Sequence, residues 1–142
     1  MSKKVRYFLV FIILALGVAF AVWKITFKKS EARVASKKAD VEIEAVRLLQ
    51  DYEMDESAAN AKYLDKIVVV TGTIASVNED SLGISLYLKE NDAITGVICS
   101  FDKSTLSVSS VQAGSAISIK GICTGYLMDV VLNKCALVPP AK

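Results

Sequence analysis

KIVVVTGTIASVNEDSLGISLYLK, residues Lys66–Lys89, is the stretch whose reading decides the fold. Ile67 to Val77 is rich in β-branched residues and reads as one long strand. It contains Gly72, a place where a long strand can bend or bulge. Asn78-Glu79-Asp80-Ser81 is a turn cluster. From Gly83 to Lys89 the chain alternates, with Ile84, Leu86 and Leu88 on one face and Ser85, Tyr87 and Lys89 on the other. A long strand that bends and then meets its hairpin partner is the opening of a small barrel.

The chain beyond this stretch keeps the strand period. Asn91-Asp92 is a second turn, and Ile94 to Phe101 is the third strand. Asp102 to Val111 (DKSTLSVSSV) breaks the pattern, with Leu106 and Val111 as anchors of a short helical turn. Gly114 marks the next boundary. Ala116 to Tyr126 alternates again, and Val130 to Val138 is the last strand before Pro139-Pro140. Three strands, a short helical element and two strands make a mainly β chain. This is the order of the five-stranded Greek-key OB-fold barrel. Patterning alone leaves another small antiparallel barrel as the alternative.

Toward the N-terminus the period becomes helical. Val41, Ala45, Leu48, Leu49 and Tyr52 share one helix face, and Asp40 is the expected N-cap. A second short helix is expected over Glu56 to Tyr63, capped by Asp55. Residues 39–63 therefore read as a helical arm. They carry two basic and seven acidic side chains, which form either a solvated helix face or an acidic docking surface.

Further upstream, Tyr7 to Trp23 (YFLVFIILALGVAFAVW) is 17 uncharged residues bounded by Lys4 and Arg6 on one side and Lys24 on the other. A membrane-spanning helix needs about 20 residues, with ~17 the lower limit. Snorkelling by Arg6 and Lys24 extends the run through Ile25 and Phe27, and Tyr7 and Trp23 stand where interfacial aromatics belong. The rival is a cleavable signal peptide, with Lys3, Lys4 and Arg6 leading it and Ala19-Phe20-Ala21 as its cleavage site. The apolar run is longer than the ~7–15 residues usual there, and bulky Val22-Trp23 follows the site. No cysteine precedes Cys99, which speaks against a lipoprotein anchor. The expected organisation is a membrane anchor over 1–27, a charged tether over 28–38, the arm over 39–63, the barrel over 64–139 and a tail over 140–142. Six basic residues, Lys24 and five in the tether, follow the apolar run, against three before it. The positive-inside count thus leans away from an inside N-terminus, whereas a very short leading tail favours one. The latter orientation, with the barrel outside the cytoplasm, is the expectation.

Composition narrows the chemistry. Hydrophobic residues make up 53% and mean hydropathy is +0.43, an excess concentrated in the first 27 positions. The net charge of +2 is the sum of a basic N-terminal segment and an acidic remainder. There is no histidine, which excludes Ser-His-Asp and Cys-His catalysis, histidine-ligated zinc and histidine pH switching.

Three stretches resemble the bacterial tRNA-anti-like family of OB-fold domains: LLQDYEMDESAANAKYLDKIVVVTGTI (Leu48–Ile74), GVICSFDKS (Gly96–Ser104) and GICTGYLMDVVLNKCALV (Gly121–Val138). The resemblance covers about residues 40–138 and includes Asn60-Ala61-Lys62-Tyr63 and Thr71-Gly72-Thr73. It implies the fold, its topology and an N-terminal hydrophobic anchor. It implies little about activity, because a shared fold does not transfer function.

Single-strand nucleic-acid readers need a cationic groove and aromatics on which bases stack. Residues 64–142 carry six lysines, no arginine and seven acids, with Tyr87, Phe101 and Tyr126 as their aromatics. That balance argues against nucleic acid. Tyr87 and Lys89, on the outward face of the second strand, are the candidate ligand-face residues; a surface tyrosine there also serves as plain scaffold. Catalysis is not expected. The carboxylate pairs Glu79-Asp80 and Asp55-Glu56 stand in turn or cap positions, and no glycine-rich phosphate loop appears. No cofactor or metal is expected, since Cys99, Cys123 and Cys135 form no C-x-x-C. A last hairpin turning at Asp129 would set Cys123 opposite Cys135, a pairing that a disulfide could span in an oxidising compartment; two buried thiols are the alternative. The expectation is thus a single-pass, membrane-anchored, non-catalytic OB-fold module. It sits in a bacterial inner membrane and binds a protein or small ligand in the envelope. The alternative is a nucleic-acid-binding OB domain at the cytoplasmic membrane face.

Overall fold

A computed structural model describes residues 2–90 and 92–139, and for residues 26–32 the backbone alone. The expected tail over 140–142 and the Asn91 half of the second turn lie outside the described residues. The chain divides into two units, Met1–Ser30 and Glu31–Lys142.

In the first unit the apolar run lies within a helix, α1 (Lys3–Ser36). Within Lys3–Ile25 the most apolar 18 residues have a mean hydropathy of 2.6, and none of them is buried. By length and composition this segment can cross a membrane. Lys24 Nζ lies 5.6 Å from the ring of Phe20, which meets Trp23 edge-on.

The second unit begins with the last turn of α1, where Val34 is buried. Lys120 Nζ donates to the carbonyls of Ala35 (3.2 Å) and Lys37 (2.8 Å), satisfying groups that a helix end leaves open. There follow β1 (Val41–Glu44), α2 (Ala45–Met54), α3 (Glu56–Tyr63), β2 (Ile67–Glu79), β3 (Ile84–Leu88), β4 (Val97–Phe101), a 3-10 turn (Val108–Ser110), β5 (Ala116–Leu127) and β6 (Asp129–Leu137). The sheet order is β1-β2-β3-β4-β6-β5, and β2 also pairs with β5. That second pairing closes five strands, β2 to β6, into the OB barrel, with β4 and β6 its parallel pair. Ile84, Leu86 and Leu88 of β3 and Val97, Cys99 and Phe101 of β4 point into the core, as their alternation requires. Leu106 and Val111 pin the 3-10 turn to it.

Two expectations about β2 and the arm are corrected. Residues 41–44 are a strand and not the first turn of a helix. Val41 and Ile43 alternate with Glu42 and Glu44, and β1 pairs parallel to β2 with Val41 opposite Val68. Asp40 serves this strand and caps no helix: its N–H donates to Ile67 O (2.8 Å) and its carboxylate accepts from Ile67 N–H (2.9 Å). Helix α2 starts only at Ala45 and buries Ala45, Leu48, Leu49 and Tyr52, while Asp55 accepts from Ala58 N–H (3.0 Å) as the cap of α3. The irregularity in β2 falls between Ile74 and Ser76, not at Gly72. Gly72 instead marks where β2 leaves β1, and its missing Cβ admits Ala45, whose own Cβ would stand 3.0 Å away.

The last hairpin also differs. Its tip is Met128 (φ 83°), with Leu127 opposite Asp129 and Tyr126 opposite Val130. Register shifts at Lys120/Ile122 and Cys123/Gly125 then put Cys123 opposite Leu132. Asp129 is thus the first residue of β6 and not the centre of the turn. Cys123 and Cys135 are therefore not cross-strand partners. No disulfide is present among the described residues; Cys99, Cys123 and Cys135 are fully buried thiols.

Candidate functional site

The outward face of β3 and β4 carries Ser85, Tyr87, Ile98 and Ser100. Tyr87 stands beside Ile98, which stands beside Val131, so an aromatic and two aliphatic side chains form one row across three strands. The Tyr87 hydroxyl donates to Asp129 Oδ1 (2.8 Å), and the same oxygen accepts from the Gly96 N–H (2.8 Å). One carboxylate thus ties β3, the entry to β4 and the start of β6. Gly96 is required there, because a Cβ would come within 2.5 Å of Leu88 O. Burial, and then the Asp129 hydrogen bond, push the Tyr87 phenol up to about 12.

Lys89 stands next to Tyr87, as the alternation implies. Its Nζ lies 5.9 Å from the Tyr87 ring and donates to Ala93 O (3.3 Å). Both candidate residues are thus brought together, and both are already engaged by their own domain. Of the barrel's other lysines, Lys103 pairs with Glu79 (3.3 Å) and Lys120 holds the end of α1. Few cations remain to follow a phosphate backbone.

Concavities flank the barrel at several places among the described residues. One of about 300 Å³ lies between Ala45, Leu49, Gly72, Leu88 and Gly96. A second of about 560 Å³ is lined by hydroxyl and aliphatic side chains, among them Ser110, Ser115, Ser118, Ile117 and Leu137. A third of about 430 Å³ runs between α3 and the β5–β6 hairpin. Beneath its walls the arm is fastened to the barrel by aromatics. Tyr52 stacks on Tyr126 with ring centres 5.6 Å apart, and lies 6.1 Å from Tyr63. Tyr52 Oη is 3.4 Å from Cys123 Sγ, and burial raises its pKa. Asp51 accepts from the Tyr63 hydroxyl and from Lys62, and these bonds hold its carboxyl below the usual range.

Asp129 and Asn60 were not singled out as functional from the sequence. Asp129 reads locally as a turn residue, and its partners Tyr87 and Gly96 lie 42 and 33 positions away. Asn60 falls inside a helix, and its place in the Asn60-Ala61-Lys62-Tyr63 run points to the family but to no role for its side chain.

The family model described as tRNA_anti-like matches residues 1–137. Among solved structures, a protein of Klebsiella pneumoniae subsp. pneumoniae described as a candidate nucleic acid-binding lipoprotein superposes with a TM-score of 0.59 at 20% identity. The superposition covers 76% of this chain and 97% of that one. At that identity the two share a fold. Asparaginyl-tRNA synthetase from Pyrococcus horikoshii superposes over 57% of this chain and 21% of its own, with a TM-score of 0.37 and 13% identity, too slight to carry an argument. Among curated proteins the sequence has no match.

Proposed function

From the premise that the chain belongs to the tRNA-anti-like family, we propose that it is a non-catalytic OB-fold binding module held at a bacterial inner membrane by a single N-terminal span. The observation that carries this is the Lys3–Ile25 segment, apolar throughout its centre with none of it buried. Exposing so many apolar side chains to water is unfavourable at about 25 cal/mol per Å², and a bilayer removes that cost. The barrel is the part offered to a ligand, through the Tyr87–Ile98–Val131 row and its margins, with Tyr87 and Lys89 on that face. A protein or small ligand in the envelope suits this surface better than a nucleic acid. Phosphate contacts dominate nucleic-acid affinity, and Lys89, Lys103 and Lys120 are occupied within the domain. The proposed orientation places the barrel outside the cytoplasm.

Alkaline extraction of membranes and a reporter fused after Lys142 test both parts. The full-length chain should stay with the membrane, and the reporter should be active on the outer side. A soluble product starting at Val22 would end the anchored reading. An anchored chain with its C-terminus in the cytoplasm would favour the nucleic-acid alternative.

A further inference from the structure

We propose that the groove between α3 and the β5–β6 hairpin binds a primary ammonium or guanidinium group carried on an aliphatic stem. This rests on the reading of the barrel as a binding module and gives that module a ligand chemistry.

The groove, of about 430 Å³, is lined chiefly by Glu56, Asn60, Leu64, Gly125, Tyr126 and Leu127. Glu56, Asn60 and Leu64 are spaced four apart, so α3 and its exit present all three along one side. Its one charged group is the Glu56 carboxylate; the amide of Asn60 and the ring of Tyr126 lie beside it, and the Thr124 hydroxyl is already spent on Val131 O (3.1 Å). No lysine or arginine lines it. The cation of this helix, Lys62, is directed to Asp51 (3.2 Å) instead.

Asn60 supplies the independent observation. Its Oδ1 is buried and has no hydrogen-bond partner, the one such side-chain atom among the described residues. Buried acceptors are nearly always satisfied, and leaving one unmet is costly. Asn60 itself lines the groove, so a ligand donor that reaches its amide would supply the partner this oxygen lacks. Tyr126 supplies the second element. Its ring is half-buried and backed by Tyr52, which restricts its motion before any ligand arrives, and an aromatic face attracts a cation within about 6 Å. Leu64 and Leu127 supply the third. Leu127 is 89% exposed at the hairpin tip and would gain by covering methylene groups. Gly125 has φ +124°, a backbone conformation that favours glycine, and its bare backbone faces Leu64 across the groove. A carboxylate with no cation beside it in the lining, and aliphatic walls next to it, match a cationic head on a methylene stem better than an anion.

The test is an NMR titration of the full-length chain in detergent micelles with n-butylammonium, n-butanol and butyrate. Butylammonium should give saturable shifts at the Asn60 side-chain amide and at Gly125 and Tyr126, and the other two probes should give much less. Glu56→Gln, an exposed change that leaves the fold intact, should weaken butylammonium about three- to fivefold, the scale of one exposed ion pair; Tyr126→Leu should weaken it further. A pentapeptide with one lysine between alanines identifies the source. Tighter binding than butylammonium points to a basic side chain of a partner protein, and equal or weaker binding points to a free small amine. Equal response to butanol, no response at Asn60, or an unchanged Glu56→Gln affinity would overturn the proposal. Butanol or butyrate seated on the Tyr87 face alone would end it while leaving the binding-module reading in place.

Discussion

Leu14 and Leu86 are the same side chain in opposite circumstances. Leu14, in the middle of α1, is 64% exposed, whereas Leu86, in the middle of β3, has no exposed surface. The difference lies in the neighbours along the chain. Around Leu14 every residue from Tyr7 to Trp23 is uncharged, so a helix there is apolar on all sides and has no face to turn outward. Around Leu86, Ser85 and Tyr87 intervene, and the two-residue period gives the strand an inside and an outside. Mean hydropathy marks how much apolar surface a segment has. Its period decides whether the protein itself can bury that surface or whether another phase must.

The comparison breaks most visibly where a charge enters the apolar helix. Leu14→Arg with Val18→Arg should add about 5–7 kcal/mol to insertion, at roughly 2.5–3.5 kcal/mol per arginine near a helix centre. The chain should then move from the alkali-resistant membrane fraction to the soluble one, with its barrel still folded by circular dichroism. Retention in the membrane would mean that α1 is not what holds it there. Leu86→Ala is the reciprocal test. It should lower barrel stability by about 3 kcal/mol in urea unfolding without changing membrane partition, whereas Leu14→Ala should leave the urea midpoint where it is.

Next in size is Asp129→Ala. It strands the Tyr87 hydroxyl and the Gly96 N–H together, and a partly buried charged hydrogen-bonding centre of this kind is worth about 2 kcal/mol. If the urea midpoint moves no more than for an exposed carboxylate such as Asp92→Ala, the tie between β3, β4 and β6 is incidental. Tyr87→Phe isolates one bond of that tie and adds a pH signature. The phenol is raised from 10.0 to about 12 in the fold, chiefly by burial and then by Asp129. A group whose folded pKa is raised contributes its stability in full below the unfolded value. That contribution is lost as pH rises from about 10 through about 12, where the unfolded chain has already released the proton. Stability of the parent should therefore fall across this window by more than that of Tyr87→Phe. Parallel curves would show that the phenol titrates as it would in water.

These effects also mark how far the sequence could be read. The barrel strands, the buried face of α2, the Asp55 cap and the apolar span are local patterns, each written within about ten to twenty residues. The strand β1 is not, because VEIE has two apolar residues in four, a spacing too short to separate a period of 2 from one of 3.6. Ala45, four residues after Val41, completes a false helical face. The hairpin register fails for a different reason. The register shifts at Lys120/Ile122 and Cys123/Gly125 break the simple pairing sum, and Asp129 beside the tip is engaged by Gly96 and Tyr87 from distant segments that no local turn rule contains. The groove beside Asn60 depends on α3 lying against β5, and helix–strand packing is equally invisible to periodicity. Local order was legible, and whatever one segment imposes on another was not.

The smallest expected effect is Asp55→Ala, and it sharpens the contrast from the other side. Asp55 caps α3 by accepting the Ala58 N–H at 3.0 Å, at the surface, and loss of such a cap costs about 1 kcal/mol. The helix has only eight residues, too few to persist in water unaided, so it is held chiefly by Ala59 and Tyr63 in the core and by Tyr63 bonding to Asp51. Fraying should therefore be confined to its first turn. Hydrogen exchange should speed up at Ala58 and Ala59 and stay unchanged at Leu64, whose N–H bonds to Asn60 O at 3.0 Å. Acceleration through the whole of α3 and into β5 would show that the cap, and not the aromatic packing of Tyr52, Tyr63 and Tyr126, fastens the arm to the barrel.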